Sequence, residues 1–377
     1  MCPYPVSRKA SIWSSLLWVV ILSLFLSACE REPVRIGFVG EISGRVADLG
    51  GGARNGAILA VEDRNASGGV NGRPVELIIR DDGHNPDTAA KVIRELVSMK
   101  VEAVIGPMTS GMALAVVPIL NESRVVAVSP TVTTTQLTGL DDHFLRVLPD
   151  TRRYAPKSAI FHIERTGRRR AALVYETGNS SYTVNWMDGF RNAFERRGGR
   201  IVSVSSFRSG GNVAFSPLVR DILSRRPDLV VLVCGGIDAA LLCQQIRRLN
   251  RKITISVSEW GSTERFIELG GEDVEGVFFA QFLDHDNTTP RYIRFRKAYR
   301  ARFGQDPGFS GVAGYDAATV VMDALAGRNK GESLKDAIPA MGVFQGLQRK
   351  IVLDRFGDTA GSTYITVVKN RRFVTLE

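Results

Sequence analysis

At 377 residues, with 44% hydrophobic and 23% charged residues, the chain has the composition of a folded protein and the length of two domains. These values exclude a disordered or low-complexity chain. The formal charge of +10 raises the question of an anionic partner, which the placement of the arginines answers below.

The N-terminus is the one unusual region. Arg8 and Lys9 precede an apolar run over residues 12–26 that ends in "LSAC" at Cys29. A basic start, a short apolar stretch and small residues describe a secretory signal over residues 1–28. The run is too short and too rich in serine for a spanning helix. "LSAC" resembles the lipobox of bacterial lipoproteins, which implies a lipidated Cys29 and a spacer over 29–33. The chain is therefore expected in the cell envelope, on the periplasmic or extracellular face, held to a membrane through Cys29. Cys234 and Cys243 then remain; export permits a disulfide, but both are expected to pack as small apolar residues.

From residue 34 a rhythm of strand and helix begins. The pattern predicts strands over 34–39, 75–79, 103–105 and 125–128, and helices over 51–67, 87–100 and 110–122. "LRVLPDTRRY" (145–154) interrupts the rhythm, which then restarts. Strands are predicted over 171–175, 201–205, 229–233 and 253–257, with helices over 184–196, 217–224 and 239–249. Such alternation means parallel sheets with helices on both faces, here in two α/β lobes.

In open parallel sheets, ligands bind beyond the carboxyl ends of the strands. The segments there are "GEISG", "GPMTSG", "SPTVTT", "ETGNSSY", "CGGID" and "SEWGS", rich in glycine, serine and threonine. The opposite strand ends carry Arg168 to Arg170, Arg196, Arg197, Arg225, Arg226, Arg247 and Arg248. These lie at helix C-termini, where cations offset the dipole, and are expected to form a solvated rim rather than a nucleic-acid site. No phosphate loop, HExxH or CxxC pattern is present, and the four histidines show no ligand spacing. "LGGGARNG" (49–56) fails the dinucleotide pattern and is expected to be a flexible turn at the mouth of a cleft. No metal, cofactor or catalytic residue is expected, so the chain is not read as an enzyme.

Over nearly its whole length after Cys29 the chain is similar to the type I periplasmic binding proteins of ABC transporters, in the Leu/Ile/Val-binding branch. The resemblance rests on "VGEISG", "NASGGVNGRPVELIIRDDGHNP", "VIGPMTSG", "VAVSPTVT", "FSPLVRDILSRRPDLVVLVCGG", "GGEDVEGVFF" and "GYDAA", in that order and spacing. It implies two Rossmann-like lobes joined by a three-crossover hinge: 34–147 plus 284–346, and 148–283 plus 347–377. "FFAQFLD" (278–284) would be the second crossover, and the third would follow Phe344. The resemblance also implies a monomer that holds a small molecule between the lobes and delivers it to an ABC permease in the inner membrane.

Carried over by position, Ser110, Thr131 and Thr133 would grip a ligand carboxylate. Ser110 stands at a helix start, where free N–H groups favour an anion, and can equally be a plain N-cap. Glu259 would face the ligand's ammonium group; without the resemblance it reads as a solvated loop acid. Tyr182 would close over the ligand, and Trp260 either lines the pocket or packs in a core. Thr134 and Thr135 are expected to start the next helix or face solvent. Leu49 and Ile237 stand where members of the branch commonly place aromatic rings, so the side-chain preference is not inherited. Nor does the disulfide found in some members have a counterpart near Gly83 or Thr109. The ligand is accordingly expected to be an aliphatic amino acid or a related small carboxylate. The alternatives are an amide, urea or an aromatic acid on the same fold, or a sensory or envelope-assembly lipoprotein.

Overall fold

A computed structural model describes residues 32–210 and 213–377. The expected signal and Cys29 lie outside these residues. The chain starts with β1 (Val34–Gly40), α1 (Ala47–Ala66), β2 (Val75–Asp81), α2 (Pro86–Ser98), β3 (Ala103–Ile105), α3 (Ser110–Ser123), β4 (Val126–Ser129) and β5 (Phe144–Arg146). After a crossover at 147–153 it forms α4 (Tyr154–Glu164), β6 (Arg170–Glu176), α5 (Ser180–Glu195), β7 (Arg200–Phe207), α6 (Phe215–Ser224), β8 (Leu229–Val233), α7 (Gly236–Leu249), β9 (Thr254–Val257), α8 (Glu264–Gly270) and β10 (Phe278–Gln281). A second crossover at 282–289 leads to α9 (Pro290–Phe303), α10 (Phe309–Gly327), α11 (Leu334–Met341), β11 (Val343–Gln345), β12 (Lys350–Leu353) and β13 (Thr359–Ala360). The last strands are β14 (Tyr364–Lys369) and β15 (Arg372–Thr375).

The first sheet is parallel throughout, in the order β2-β1-β3-β4-β5. The second repeats that order as β7-β6-β8-β9-β10 and adds β14 and β15 antiparallel at one edge. Two doubly wound α/β lobes therefore follow from the chain, as the alternation of elements requires. "FFAQ" at the start of the expected second crossover is β10, so the crossing begins only after Gln281. A third, small antiparallel sheet of β11, β12 and β13 lies against the first lobe, where the Arg146 N–H donates to the Gly357 carbonyl at 3.0 Å. The chain rejoins the second sheet at Tyr364.

β5 escapes the strand pattern because it is three residues long and ends in a charged residue. Arg146 is 1% exposed, a costly position for a guanidinium unless it is paired. Its Nη2 sits 2.6 Å from Asp358, its Nη1 donates to the Thr134 carbonyl at 2.8 Å, and Asp150 lies 3.8 Å away. One side chain thus ties the first sheet, the threonine loop and the small sheet together.

"LGGGARNG" is not a flexible turn; it forms the first turns of α1. Two of its glycines, Gly52 and Gly56, serve close packing against α10 instead. A Cβ at Gly56 would lie 2.0 Å from the Gly311 carbonyl oxygen, and one at Gly314 would lie 2.1 Å from that of Ala53. Side chains at these points would push the two helices apart.

The arginine-rich ends lie on the second lobe, remote from the first. Arg170 donates to the carbonyls of Arg225 and Arg226, and Arg247 to that of Ile253. They satisfy chain carbonyls just past helix ends. Cys234 and Cys243 are free thiols in the core of the second lobe; burial pushes Cys243 up to about 12. Among the described residues no helix is long and apolar enough to cross a membrane.

The glycine packing gives a paired test. Gly56→Ala should lower unfolding stability by about 1–3 kcal/mol through overpacking. Gly51→Ala, where a Cβ meets nothing within 4 Å, should be neutral or stabilising by up to about 1 kcal/mol. Urea unfolding followed by circular dichroism measures both; equal stabilities for the two variants would contradict the close approach.

Candidate functional site

Every post-strand segment rich in small polar residues faces the cleft between the lobes. Parallel strands all end at the same edge, and the following helices begin there with unpaired N–H groups. Because both sheets turn that edge inward, the segments meet. The Gly111 N–H, at the start of α3, donates to Asn179 Oδ1, just before α5, at 3.0 Å. Thr134 Oγ1 donates to the Ser181 carbonyl at 2.9 Å, and Thr263 Oγ1 to Asp48 Oδ2 at 2.6 Å. Arg45 of the first lobe lies 2.7 Å from the buried carboxylate of Asp238 in the second, which also accepts from Ser209 at 2.6 Å. The lobes are closed on one another.

At the centre of this closure lies a small cavity, with about 20 Å³ of space for the centres of water-sized spheres. Leu49, Met108, Thr109, Ser110, Thr131, Thr133, Leu148 and Phe309 line it from the first lobe and the crossover. Asn179, Tyr182, Glu259 and Trp260 line it from the second. A wider depression, lined by Arg146, Asp150, Arg152, Asp354 and Phe356, opens beside the first crossover.

Seven of the eight residues selected from sequence line this one cavity. Ile237, in the first turn of α7, is half-buried and is not among its lining residues. Ser110 is the first residue of α3, and Thr109 is the N-cap, so the Ser110 hydroxyl is not committed to capping. Among the described residues, no protein group engages the hydroxyl of Ser110 or of Thr133, and both residues are buried. Thr131 differs: its hydroxyl donates to the Met108 carbonyl at 2.5 Å, and its N–H lies 3.4 Å from Ser129 Oγ. The N–H, not the hydroxyl, is the donor it can redirect. Thr134 does not face solvent; it caps the short helix at 135–137, and the adjoining Thr135 bonds to Asn185.

Glu259 is a buried acid, not a solvated one. It occupies a single helical turn directly after β9 and is 4% exposed. Oε2 accepts from Trp186 Nε1 at 2.8 Å, while the buried Oε1 has no partner. Burial pushes this carboxyl up to about 7, with its own backbone N–H, the Trp186 indole and the Tyr182 hydroxyl opposing the shift. Among the described residues no salt bridge reaches it. Around it, Tyr182 Oη, Ser258 Oγ and Trp260 Nε1 are also buried, and none of them makes a hydrogen bond of ordinary geometry. The Tyr182 and Trp260 rings meet edge to face, with centroids 5.6 Å apart. Each unsatisfied buried group costs about 1–3 kcal/mol, and such a cluster calls for a polar ligand.

Met108, Thr109, Leu148, Asn179 and Phe309 were not selected from sequence. Asn179 and Met108 fall inside the polar post-strand segments, so only their orientation was hidden. Phe309 begins a helix far along the chain and reaches the cavity through the packing of α10 on α1. Nothing in its local sequence marks it.

A family model described as "Periplasmic binding protein" matches residues 33–372. The Leu/Ile/Val-binding protein BraC3 of Rhizobium johnstonii is 29% identical over 267 residues, covering 70% of this chain and 72% of that protein. The leucine-binding protein LivK of Thermotoga maritima superposes with a TM-score of 0.84 at 27% identity, over 91% of this chain and 98% of that one. The branched-chain amino acid binding protein LivJ of Streptococcus pneumoniae, solved with isoleucine, gives a TM-score of 0.84 at 24% identity. It covers 92% of this chain and 99% of that one, and at this identity the likeness speaks for the fold.

The Arg45–Asp238 contact is partly in solvent, so its removal should shift the closed-to-open ratio of the ligand-free chain only about two- to fivefold. Arg45→Ala should lengthen the mean distance between fluorophores placed one on each lobe. An unchanged distance distribution would show that this pair does not hold the lobes together.

Proposed function

The chain belongs to the periplasmic binding protein family, and from that premise we propose that it captures a small amino acid with an aliphatic side chain for an ABC importer. It is an extracytoplasmic substrate-binding protein of the ABC-transporter type, from a family that binds solutes rather than transforming them. The observation that carries the amino-acid reading is Glu259, a buried carboxylate with one oxygen unpartnered and no cation beside it. An uncompensated buried charge is strongly unfavourable. A ligand ammonium group would supply the missing counter-charge.

The opposite wall suits a carboxylate. Ser110, Thr133 and the start of α3 offer hydroxyls and helix N–H groups, where the dipole favours an anion. Leu49, Met108, Leu148 and Phe309 leave an apolar sector for the side chain. The names of the relatives, Leu/Ile/Val-binding protein and leucine-binding protein, agree with this division. Closure of the lobes around the ligand is the whole mechanism, with Tyr182 and Trp260 brought over it from the second lobe. A ring-bearing acid is the second reading, favoured by the rings of Tyr182, Trp260 and Phe309 around the cavity.

Delivery to a permease in the inner membrane and anchoring through Cys29 complete the proposal. "LSAC" supports the anchor, and two or more acyl chains on Cys29 would make it stable.

A thermal-shift screen of the chain beginning at Glu30 against amino acids and aromatic acids identifies the ligand. At 100 times its dissociation constant, a true ligand stabilises the fold by about 2.7 kcal/mol. For an amino acid, Glu259→Gln should cost about 3–5 kcal/mol of binding, read by calorimetry; a loss under about 0.5 kcal/mol would mean that no ammonium meets this carboxylate.

The pH dependence separates the two readings. Because Glu259 is raised to about 7, it is ionised in the empty cleft only above that pH. An ammonium-bearing ligand should therefore bind with constant affinity from about pH 8 up to the pH at which its own ammonium group deprotonates, and lose about tenfold per unit below pH 7. A carboxylate without an ammonium should show the reverse, binding more tightly as the pH falls and Glu259 becomes neutral.

A further inference from the structure

The Glu259 carboxylate is not free to turn. Its Oε2 is held by the indole N–H of Trp186 at 2.8 Å, and both residues are buried. Trp186 follows Tyr182 by one turn of α5, so the two project from the same face of the helix. Its own ring is fixed from below. It stacks on Phe190, with centroids 5.7 Å apart and planes 10° apart, and Phe190 stacks on Phe194 at 5.2 Å and 22°. This ladder of rings at every fourth residue is buried throughout, so the indole N–H has one place to point. With Oε2 taken, Oε1 is the oxygen left without a partner, on a residue that lines the cavity.

We infer that Trp186 is a positioning residue of the binding site: it orients the Glu259 carboxylate so that Oε1 faces the ligand, and it supports the charged form by donating a hydrogen bond to it. This rests on the reading of Glu259 as the ammonium contact. Trp186 is not among the residues lining the cavity; it acts through Glu259 alone. The groups that face the carboxylate from the other packed elements are neutral. They are Tyr182 of α5, Tyr154 of α4, Ser258, and the Trp260 indole, with no arginine or lysine in an ion pair with it among the described residues. Burial therefore opposes ionisation, and the indole N–H is one of the few favourable contacts against it. A hydrogen bond to the charged form lowers a carboxyl pKa, so losing this one raises it further. The neutral acid would then be the form met by a ligand at neutral pH.

The chain beginning at Glu30 carries every strand and helix described above and contains only two indoles, Trp186 and Trp260. In the unsubstituted protein, the indole N–H resonance of Trp186, assigned with a Trp260→Phe variant, should titrate with a midpoint near that of the Glu259 side-chain carbon. A Trp186 resonance flat from pH 5 to 9 would overturn the proposal without any ligand. Trp186→Phe keeps a ring on the stack and removes the donor. In this variant the Glu259 midpoint should rise by about one pH unit. Leucine affinity at pH 7 should fall about fivefold and recover by pH 9, while 4-methylpentanoate, its counterpart without the amine, should change less than about twofold. Equal weakening of both probes at every pH, or an unmoved Glu259 midpoint, would reduce Trp186 to a packing residue. If leucine does not bind the unsubstituted protein, the amino-acid reading fails for that probe, and the two ligand-free titrations still decide the role of Trp186.

Discussion

A parallel sheet leaves all its strand ends, and the free N–H groups of the helices that follow, at a single edge. That constraint organises the whole molecule. Both sheets have the same strand order and turn this edge toward each other, so six short polar segments converge in one plane between the lobes. What lies there follows from the geometry of the sheets rather than from any single residue. The remote edges are left with the chemistry of helix C-termini, and arginines satisfy the carbonyls there.

The facing edges are not chemically alike. The first lobe brings hydroxyls and a helix start, which suit an anion and cost little when solvated. The second brings a carboxylate buried beside unpartnered hydroxyl and indole groups. That wall is unfavourable until a charge of opposite sign enters it. Closure of an empty cleft therefore works against the electrostatics of Glu259, whereas, on the reading proposed above, closure around a zwitterion would satisfy both walls together. The contacts around the cleft, such as Arg45 with Asp238 and Thr263 with Asp48, are polar and partly solvated. Such contacts should bias the closed state only modestly.

Most strands and helices over residues 34–257 were legible because hydrophobic periodicity is a local property. The exceptions are instructive. β5 is a three-residue strand ending in Arg146, whose burial depends on Asp358, more than two hundred residues away. The glycines of "LGGGARNG" read as a turn although the helical pattern begins at residue 51, since local propensity disfavours helix there; the close approach of α10 at Gly52 and Gly56 settles it. Phe309 and Trp186 left no local signal, because each reaches the site through packing between elements distant in the chain. Ile237 was drawn from a position-by-position match and sits outside the cavity lining, in the first turn of its helix.

In "VSPTVTTTQL", sequence order alone put the hydroxyls after the fourth strand, and so at the edge where ligands bind. It could not distribute them. Thr133 lines the cavity, Thr131 spends its hydroxyl on the Met108 carbonyl, Thr134 caps a helical turn, and Thr135 binds Asn185. The sequence by itself determined the repeated alternation of strand and helix, and which polar segments follow the strands, because these depend on periodicity and the order of elements. Only the tertiary structure decided that Glu259 is buried, that one of its oxygens is held by Trp186, and that the other has no partner. Burial and hydrogen bonding join residues far apart in the chain, and they set the charge that a carboxyl group carries.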